Sequence, residues 1–300
     1  MGRLTSGLAW MGYQCLFGDV FVGGAGLVPW LAAREQRVRE GFPHYLGGVP
    51  RPPDGPLVWV HGVSLGESLV ACALMERLRR EWPAWRIGFT TTHPEVLALV
   101  RKKKLADVAG YFPLDFAPFL WRAVGRWRPR LVVVAETDLW PGLAGVCRAR
   151  GVPLVLVNGR ISHQHRAFWT RARALGASLW GGFTAFGVQG AVDRDRLVEM
   201  GADPRTVSVL GNIKVDLVPP RREDCLGPVR AWRGADTLVV FGSLHPAEFD
   251  ALVPGLVRLA ARPGMRVLVA PRAIVHAAAW ERRLREAGAA VGRRSAPGGP

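Results

Sequence analysis

Lysine and acid are scarce in this 300-residue chain. The lysines are Lys102, Lys103, Lys104 and Lys214, while Lys plus Arg total 40 against 24 Asp plus Glu, a net charge of +16. Arginine in place of lysine follows from base composition, so only the sign of the charge is informative: it suits an anionic partner such as a membrane surface or a phosphorylated substrate. Nucleic acid is not indicated. There is no zinc-finger spacing, aromatic RNP pattern or basic zipper, and the arginines are scattered. Cys15, Cys72, Cys147 and Cys225 lie far apart with no CxxC pair, which excludes a disulfide scaffold and argues against a structural metal. The histidines show no ligand spacing; His61 and His93 follow strand runs and are candidates to line a cleft. Neither a GxGxxG nor a GxxxxGK[ST] string occurs, and no GxSxG elbow. Dinucleotide and P-loop fingerprints are therefore absent, and Ser64 has no partner that would make it a nucleophile.

What is present begins with an apolar stretch. Residues 4–33 carry one charge, Asp19, and about 20 apolar residues suffice to cross a bilayer. Arg34, Arg37 and Arg39 follow while only Arg3 precedes, a bias that places the body of the protein on the cytoplasmic side. Gly18, Gly23, Gly24, Gly26, Pro29 and Asp19 weaken a spanning reading, so an interfacial segment or a buried hydrophobic hairpin stays open beside it. No small-residue cleavage site follows a short apolar core, against a secretory signal.

After a Pro/Gly-rich linker at 47–55, strand-like apolar runs occur at 57–60, 86–91, 108–112, 131–135, 154–157, 184–188 and 207–210. Helical patterns lie between most of them, at 68–81, 94–104, 118–127 and 139–150. Such alternation predicts an α/β fold whose parallel sheet is covered on both faces. A connector with Pro219, Pro220, Arg221 and Arg222 breaks the pattern. It restarts with a strand at "DTLVVFGSLHP", a helix at 247–261, the strand "MRVLVAPR" and a helix through Trp280 to Ala287. The expected organisation is a membrane-associated segment and basic linker at 1–46, an α/β domain at 47–215 and a partial second one at 216–300, whose short open sheet leaves an edge for a partner or further chain to cover.

Ligands of open α/β sheets bind beyond the carboxyl ends of strands, which directs attention to five strand ends. "PLVWVHGVSLGES" runs from an apolar strand into the small residues Gly62, Ser64 and Gly66, which admit a ligand close to backbone, and then to Glu67. Glu67 stands where an acid or base would act, and also where a first-turn Glu complements a helix dipole. "RLVVVAETDLWPG" ends in Glu136, Thr137 and Asp138: the last two read as helix caps, whereas Glu136 directly after an apolar strand requires an Arg or a substrate hydroxyl as partner. "LVNGRIS" presents Asn158, Arg160 and Ser162, with Arg160 able to hold a carboxylate or phosphate. "FGSLHPAEF" brings Ser243, His245 and a helix start near Pro246, where phosphate and a plain capped turn are equal readings, and "APR" brings Arg272 to the same end.

These strings resemble a known family. "VWVHGVSLGE", "TTTHPE", "YFPLDF", "WRPRLVVVAETDLWP", "VPLVLVNGRIS", "GNIKVD", "FGSLHPAE" and "LVAPR" are similar, in order and spacing, to 3-deoxy-D-manno-octulosonic acid (Kdo) transferases. The resemblance implies a GT-B fold of two Rossmann-like domains with the site in their cleft, an inverting glycosyl transfer from CMP-Kdo to the phosphorylated lipid A precursor, the cytoplasmic face of the inner membrane, and no metal or other cofactor. It places the catalytic base at Glu67 and a second carboxylate at Glu136. Ser64 and Gly66 fall in the same small-residue turn, Arg160 on the acceptor side, and Ser243, His245 and Arg272 on the donor side. Ala273 stands where relatives generally have His, and the family's later Gly-rich donor segments lie beyond this sequence. The alternatives are another GT-B transferase, a sugar-nucleotide epimerase, or a catalytically silent lipid-binding protein.

Overall fold

The computed structural model describes residues 2–63, 65–136, 139–217 and 227–293. Two compact units emerge, residues 1–218 and 219–300.

The first unit opens with helices α1 (Gly2–Gly24), α2 (Val28–Arg34) and α3 (Gln36–Tyr45). An alternating series follows: β1 (Leu57–His61), α4 (Leu65–Glu81), β2 (Arg86–Thr91), α5 (Pro94–Lys102), β3 (Val108–Tyr111), α6 (Ala117–Trp127), β4 (Leu131–Ala135), α7 (Pro141–Arg150) and β5 (Leu154–Gly159). It continues through α8 (His163–Arg171), α9 (Arg173–Trp180), β6 (Ala185–Val188), α10 (Ala191–Glu199) and β7 (Val207–Val209). All seven strands pair in parallel in the order β3-β2-β1-β4-β5-β6-β7. The apolar runs form strands because both faces are buried. Leu57, Trp59, Val132 and Val134 enter one core cluster, and their neighbours Val58, Val60 and Val133 enter the other. Each such side chain contributes about 1.5–3 kcal/mol. Proline at the first or second position starts α5, α6 and α7, where its missing N–H costs nothing.

Helix α1 is turned inside out relative to an ordinary surface helix. Ser6, Trp10, Tyr13, Gln14, Phe17 and Phe21, at helical spacing, face the protein. Trp10 Nε1 donates to Pro141 O (2.9 Å), Gln14 Oε1 accepts from Ala117 N (2.7 Å), and Phe17 and Phe21 meet Phe116 and Phe119. The aliphatic residues Leu8, Met11, Leu16, Val20 and Val22 point outward and are 51–72% exposed. No helix among the described residues is long and apolar enough to cross a membrane. The docking is pinned by Asp115, whose buried carboxylate accepts from Tyr13 Oη (2.9 Å) and from Gly142 N and Leu143 N (2.7 and 2.9 Å), capping α7. Gly142 permits this approach: a Cβ there would lie 2.4 Å from Asp115 O.

The second unit contains α11 (Gly227–Arg233), β8 (Thr237–Leu244), α12 (Phe249–Ala260), β9 (Met265–Pro271) and α13 (Ala277–Glu286). The two strands are parallel, and Leu244, Val253, Leu256, Trp280 and Leu284 form a small core on the helical side. Val240 on β8 is exposed. The connector prolines Pro219 and Pro220, with Arg221 and Arg222, lie outside the described residues, as does Cys225. Cys15, Cys72 and Cys147 are free thiols.

Candidate active site

Strand order reverses direction between β1 and β4: the chain leaves β1 towards β2 and β3, then returns to build β4 on its other side. Connections on either side of such a switch point diverge and leave a crevice beyond the strand ends, where ligands of open α/β sheets bind. The segment carrying Gly66 and Glu67 leaves β1 there, and Glu136 directly follows β4. Helix α4 begins at Leu65, three residues earlier than the hydrophobic pattern suggests. Glu67 therefore takes its third position with Gly66 beside it; the Glu67 side chain, Ser64, Thr137 and Asp138 lie outside the described residues.

Glu136 is the best-defined member. Its backbone sits in the left-handed region (φ 61°), which strains a side chain of this kind, and it is only 8% exposed. The partner expected from sequence was an arginine or a substrate hydroxyl; the structure supplies a lysine. Lys214 Nζ lies 2.5 Å from Glu136 Oε1, and Asn158 Nδ2 donates to the same oxygen at 3.2 Å. Lys214 belongs to the 3-10 turn Ile213–Leu217, which packs against α4. The turn thus links the helix of Glu67 to the carboxylate of Glu136.

Asn158, read from sequence as presented to the ligand side, is buried at 3% exposure with φ 55°. Ser162 is a helix cap, accepting from His165 N (3.1 Å) at the start of α8. Arg160 is exposed, and its backbone N donates to Glu136 O (3.4 Å), which places it beside the pair. His61 does not line the cleft. It is fully buried, its ring stacked on Phe112 with centroids 3.9 Å apart and Nδ1 2.9 Å from Thr90 O. Burial pushes its pKa down to about 3, so it is a neutral core histidine. His93 precedes α5, and its N donates to Thr91 Oγ1 (3.2 Å).

In the second unit, Ser243, His245 and Arg272 gather at the carboxyl end of β8 and β9, where Arg272 N donates to Leu244 O (2.9 Å). Ser243 is exposed, with φ 64° at a register shift in β8. The turn after it is already closed. His245 Nδ1 accepts from Ala247 N (3.3 Å) and Glu248 Oε2 accepts from His245 N (2.6 Å), a capping box on the 3-10 turn Pro246–Glu248 that precedes α12. Of the two readings left open near Pro246, a phosphate cradle and a plain capped turn, the structure shows a self-capped 3-10 turn, beside which Ser243 and Arg272 are exposed. Among the described residues no cluster of three His, Cys, Asp or Glu has metal-binding geometry.

Sequence reasoning missed Lys214 as a member of the site, and it named Asn158 at the strand end without its buried bond to Glu136. A signal for the first existed: Lys214 is the lysine outside the Lys102–Lys104 run in a chain that otherwise uses arginine.

A doubly covered parallel sheet with a charged pair at its reversal point, followed by a second α/β unit, defines a GT-B protein. Solved structures agree on the fold. A UDP-N-acetylglucosamine 2-epimerase from Listeria monocytogenes matches with TM-score 0.54 at 13% identity, covering 78% of this chain and 66% of that one. Another UDP-N-acetylglucosamine 2-epimerase matches with TM-score 0.51 at 12% identity, covering 71% and 63%. The family is given by sequence: residues 36–217 match the family model described as 3-deoxy-D-manno-octulosonic-acid transferase (kdotransferase), and the chain belongs to that family. The 3-deoxy-D-manno-octulosonic acid transferase of Haemophilus influenzae is 27% identical over 243 residues, 79% of this chain and 56% of that protein. That of Chlamydia pneumoniae is 29% identical over 231 residues, 74% and 52% respectively. The chain spans about half the length of these curated relatives.

Proposed function

We propose that the chain works as an inverting glycosyltransferase that moves Kdo from CMP-Kdo to the phosphorylated lipid A precursor in lipopolysaccharide biosynthesis. One observation carries the reading: at the sheet's reversal point, the helix bearing Glu67, the Glu136 carboxylate and the Lys214 ammonium are held to one another. In the step we envisage, Glu67 takes the proton of an acceptor hydroxyl as its oxygen bonds to the anomeric carbon. The bond from that carbon to the CMP phosphate breaks, and CMP leaves with the electron pair. Lys214, held by Glu136, sets positive charge against the sugar's own carboxylate. Arg160 serves the acceptor, and Ser243 and Arg272 serve the donor phosphate.

The outward aliphatic face of α1 supports a place at a membrane surface, and we assign the cytoplasmic face of the inner membrane. Arg34 lies over the exposed Trp30 ring, 4.3 Å from its centroid, an amphipathic pairing suited to a headgroup layer.

Incubating membranes that contain the chain with CMP-Kdo and lipid A precursor should transfer Kdo, and Glu67→Ala should abolish that transfer. Undiminished transfer by Glu67→Ala removes Glu67 as base. Acceptor binding by a wild-type chain that transfers nothing makes it a lipid-binding protein, and transfer from another sugar nucleotide changes the donor.

A further inference from the structure

We propose that Asn158 is a positioning residue: one side-chain amide aims both members of the Glu136–Lys214 pair. The inference rests on the reading of that pair as part of the transferase site. Asn158 is the penultimate residue of β5, between the ends of β4 and β6, and its side-chain nitrogen, side-chain oxygen and backbone carbonyl are all engaged. Nδ2 donates to Glu136 Oε1 (3.2 Å), Oδ1 accepts from Ile213 N (3.0 Å), and its backbone carbonyl accepts from Gln189 Nε2 (3.1 Å). The amide can stand only this way round. Flipped, it would set oxygen against a carboxylate and NH2 against a backbone N–H.

Two consequences follow from the geometry. Lys214 and Asn158 both bind Oε1, so among the described residues the side-chain contacts that hold the carboxylate fall on one of its oxygens. The bond to Ile213 N fixes the residue immediately before Lys214, so the same amide that orients the anion also anchors the backbone of the cation. The residue type is constrained from two sides. Its left-handed backbone (φ 55°) suits asparagine or glycine, but glycine has no amide. Aspartate would set a second buried carboxylate against Glu136, where like charges repel.

The test uses the full chain with its lysines 13C-dimethylated, so that Lys214 is observed by NMR beside only Lys102, Lys103, Lys104 and the amino terminus. Glu136→Gln identifies the Lys214 resonance by moving it. Asn158→Gly, which keeps the backbone conformation and deletes the amide, should move the same resonance and leave the other three in place. In the transfer assay it should lower kcat about 10- to 100-fold with KM nearly constant. Asn158→Asp, which keeps shape and the acceptor for Ile213 N, covers the case in which the glycine variant does not fold. It should move the Lys214 resonance and displace the acid limb of the pH–rate profile to higher pH. A Lys214 resonance unmoved by either Asn158 variant overturns the inference, as does wild-type kcat in Asn158→Gly. A wild-type chain that transfers nothing, with a Lys214 resonance still sensitive to Asn158, upholds the positioning role and counts against the transferase reading alone.

Discussion

Asp115 sets two forces against each other, and pH separates them. Its carboxyl is fully buried, and burial pushes its pKa up to about 7 from 3.8, opposed by bonds from Gly142 N, Leu143 N and Tyr13 Oη, which favour the anion. Its titrating neighbours stay neutral across that window. Burial and Asp115 raise Tyr13 beyond the usual phenol range, and burial pushes the Cys147 thiol up to about 12. With a folded pKa above the unfolded value, the native state binds more protons than the unfolded chain between about pH 4 and pH 7, so Asp115 lowers stability as pH rises through that interval. At about 1.4 kcal/mol per unit the whole effect is about 4 kcal/mol. Asp115→Asn removes the titration but keeps the shape. It carries a pH-independent cost of about 1–3 kcal/mol, because its NH2 faces one of the two N–H groups of α7. Urea unfolding of both proteins from about pH 4.5 to pH 7.5, followed by tryptophan fluorescence, gives the stability gap at each pH. Wild-type stability minus variant stability should fall steadily as pH rises, turning negative where the titration effect exceeds the fixed cost of the variant. A signed difference that rises as the solution leaves acid would show that the three donors outweigh burial and hold the pKa below its unfolded value, refuting the reasoning.

The Glu136–Lys214 pair should couple in a double-mutant cycle. Removing one partner of a fully buried pair costs about 3–5 kcal/mol, and because the Lys214 side chain is 40% exposed, Lys214→Met combined with Glu136→Gln should give a coupling of about 1–2 kcal/mol; additivity within about 0.4 kcal/mol would mean the pair is not formed. Gly47→Ala should lower the melting temperature by several degrees, since Gly47 has φ 75° and a Cβ would lie 2.1 Å from Phe119 O; an unchanged thermal melt contradicts the packing of the turn after α3 against α6. Val20→Glu on the outward face of α1 should weaken flotation with anionic phospholipid vesicles without changing the melting temperature, and unaltered flotation would detach α1 from membrane docking.

The sheet was legible because its signals are local. Each run of Val, Leu and Ile needs nothing from elsewhere to be read as a buried strand, and Pro94, Pro118 and Pro141 mark helix starts through their own chemistry. Boundaries drifted where small residues blur the pattern. Helix α4 begins at Leu65 because Gly66 inside a first turn is tolerated, and the start near Pro246 became a 3-10 turn because His245 and Glu248 close it. Glu67 and Glu136 could be picked out individually, as carboxylates at strand ends.

What joins Glu136 to the rest of the site was not legible, for a physical reason. A carboxylate after an apolar strand announces that it needs a partner, but its partner is chosen by which segments the sheet order brings alongside. Lys214 reaches Glu136 only because β7 lies at the far edge and the chain returns from it through the Ile213–Leu217 turn towards α4. Asn158 enters only because β5 is hydrogen-bonded beside β4. His61 failed as a cleft residue by the same logic: it closes β1, but Phe112 from the end of β3 and Trp140 from the approach to α7 cover its ring. The sequence therefore names which groups are costly to bury, and topology decides which of them meet. Here the meeting point is the reversal between β1 and β4, so the strained carboxylate, its lysine and the amide that orients them stand or fall as one unit.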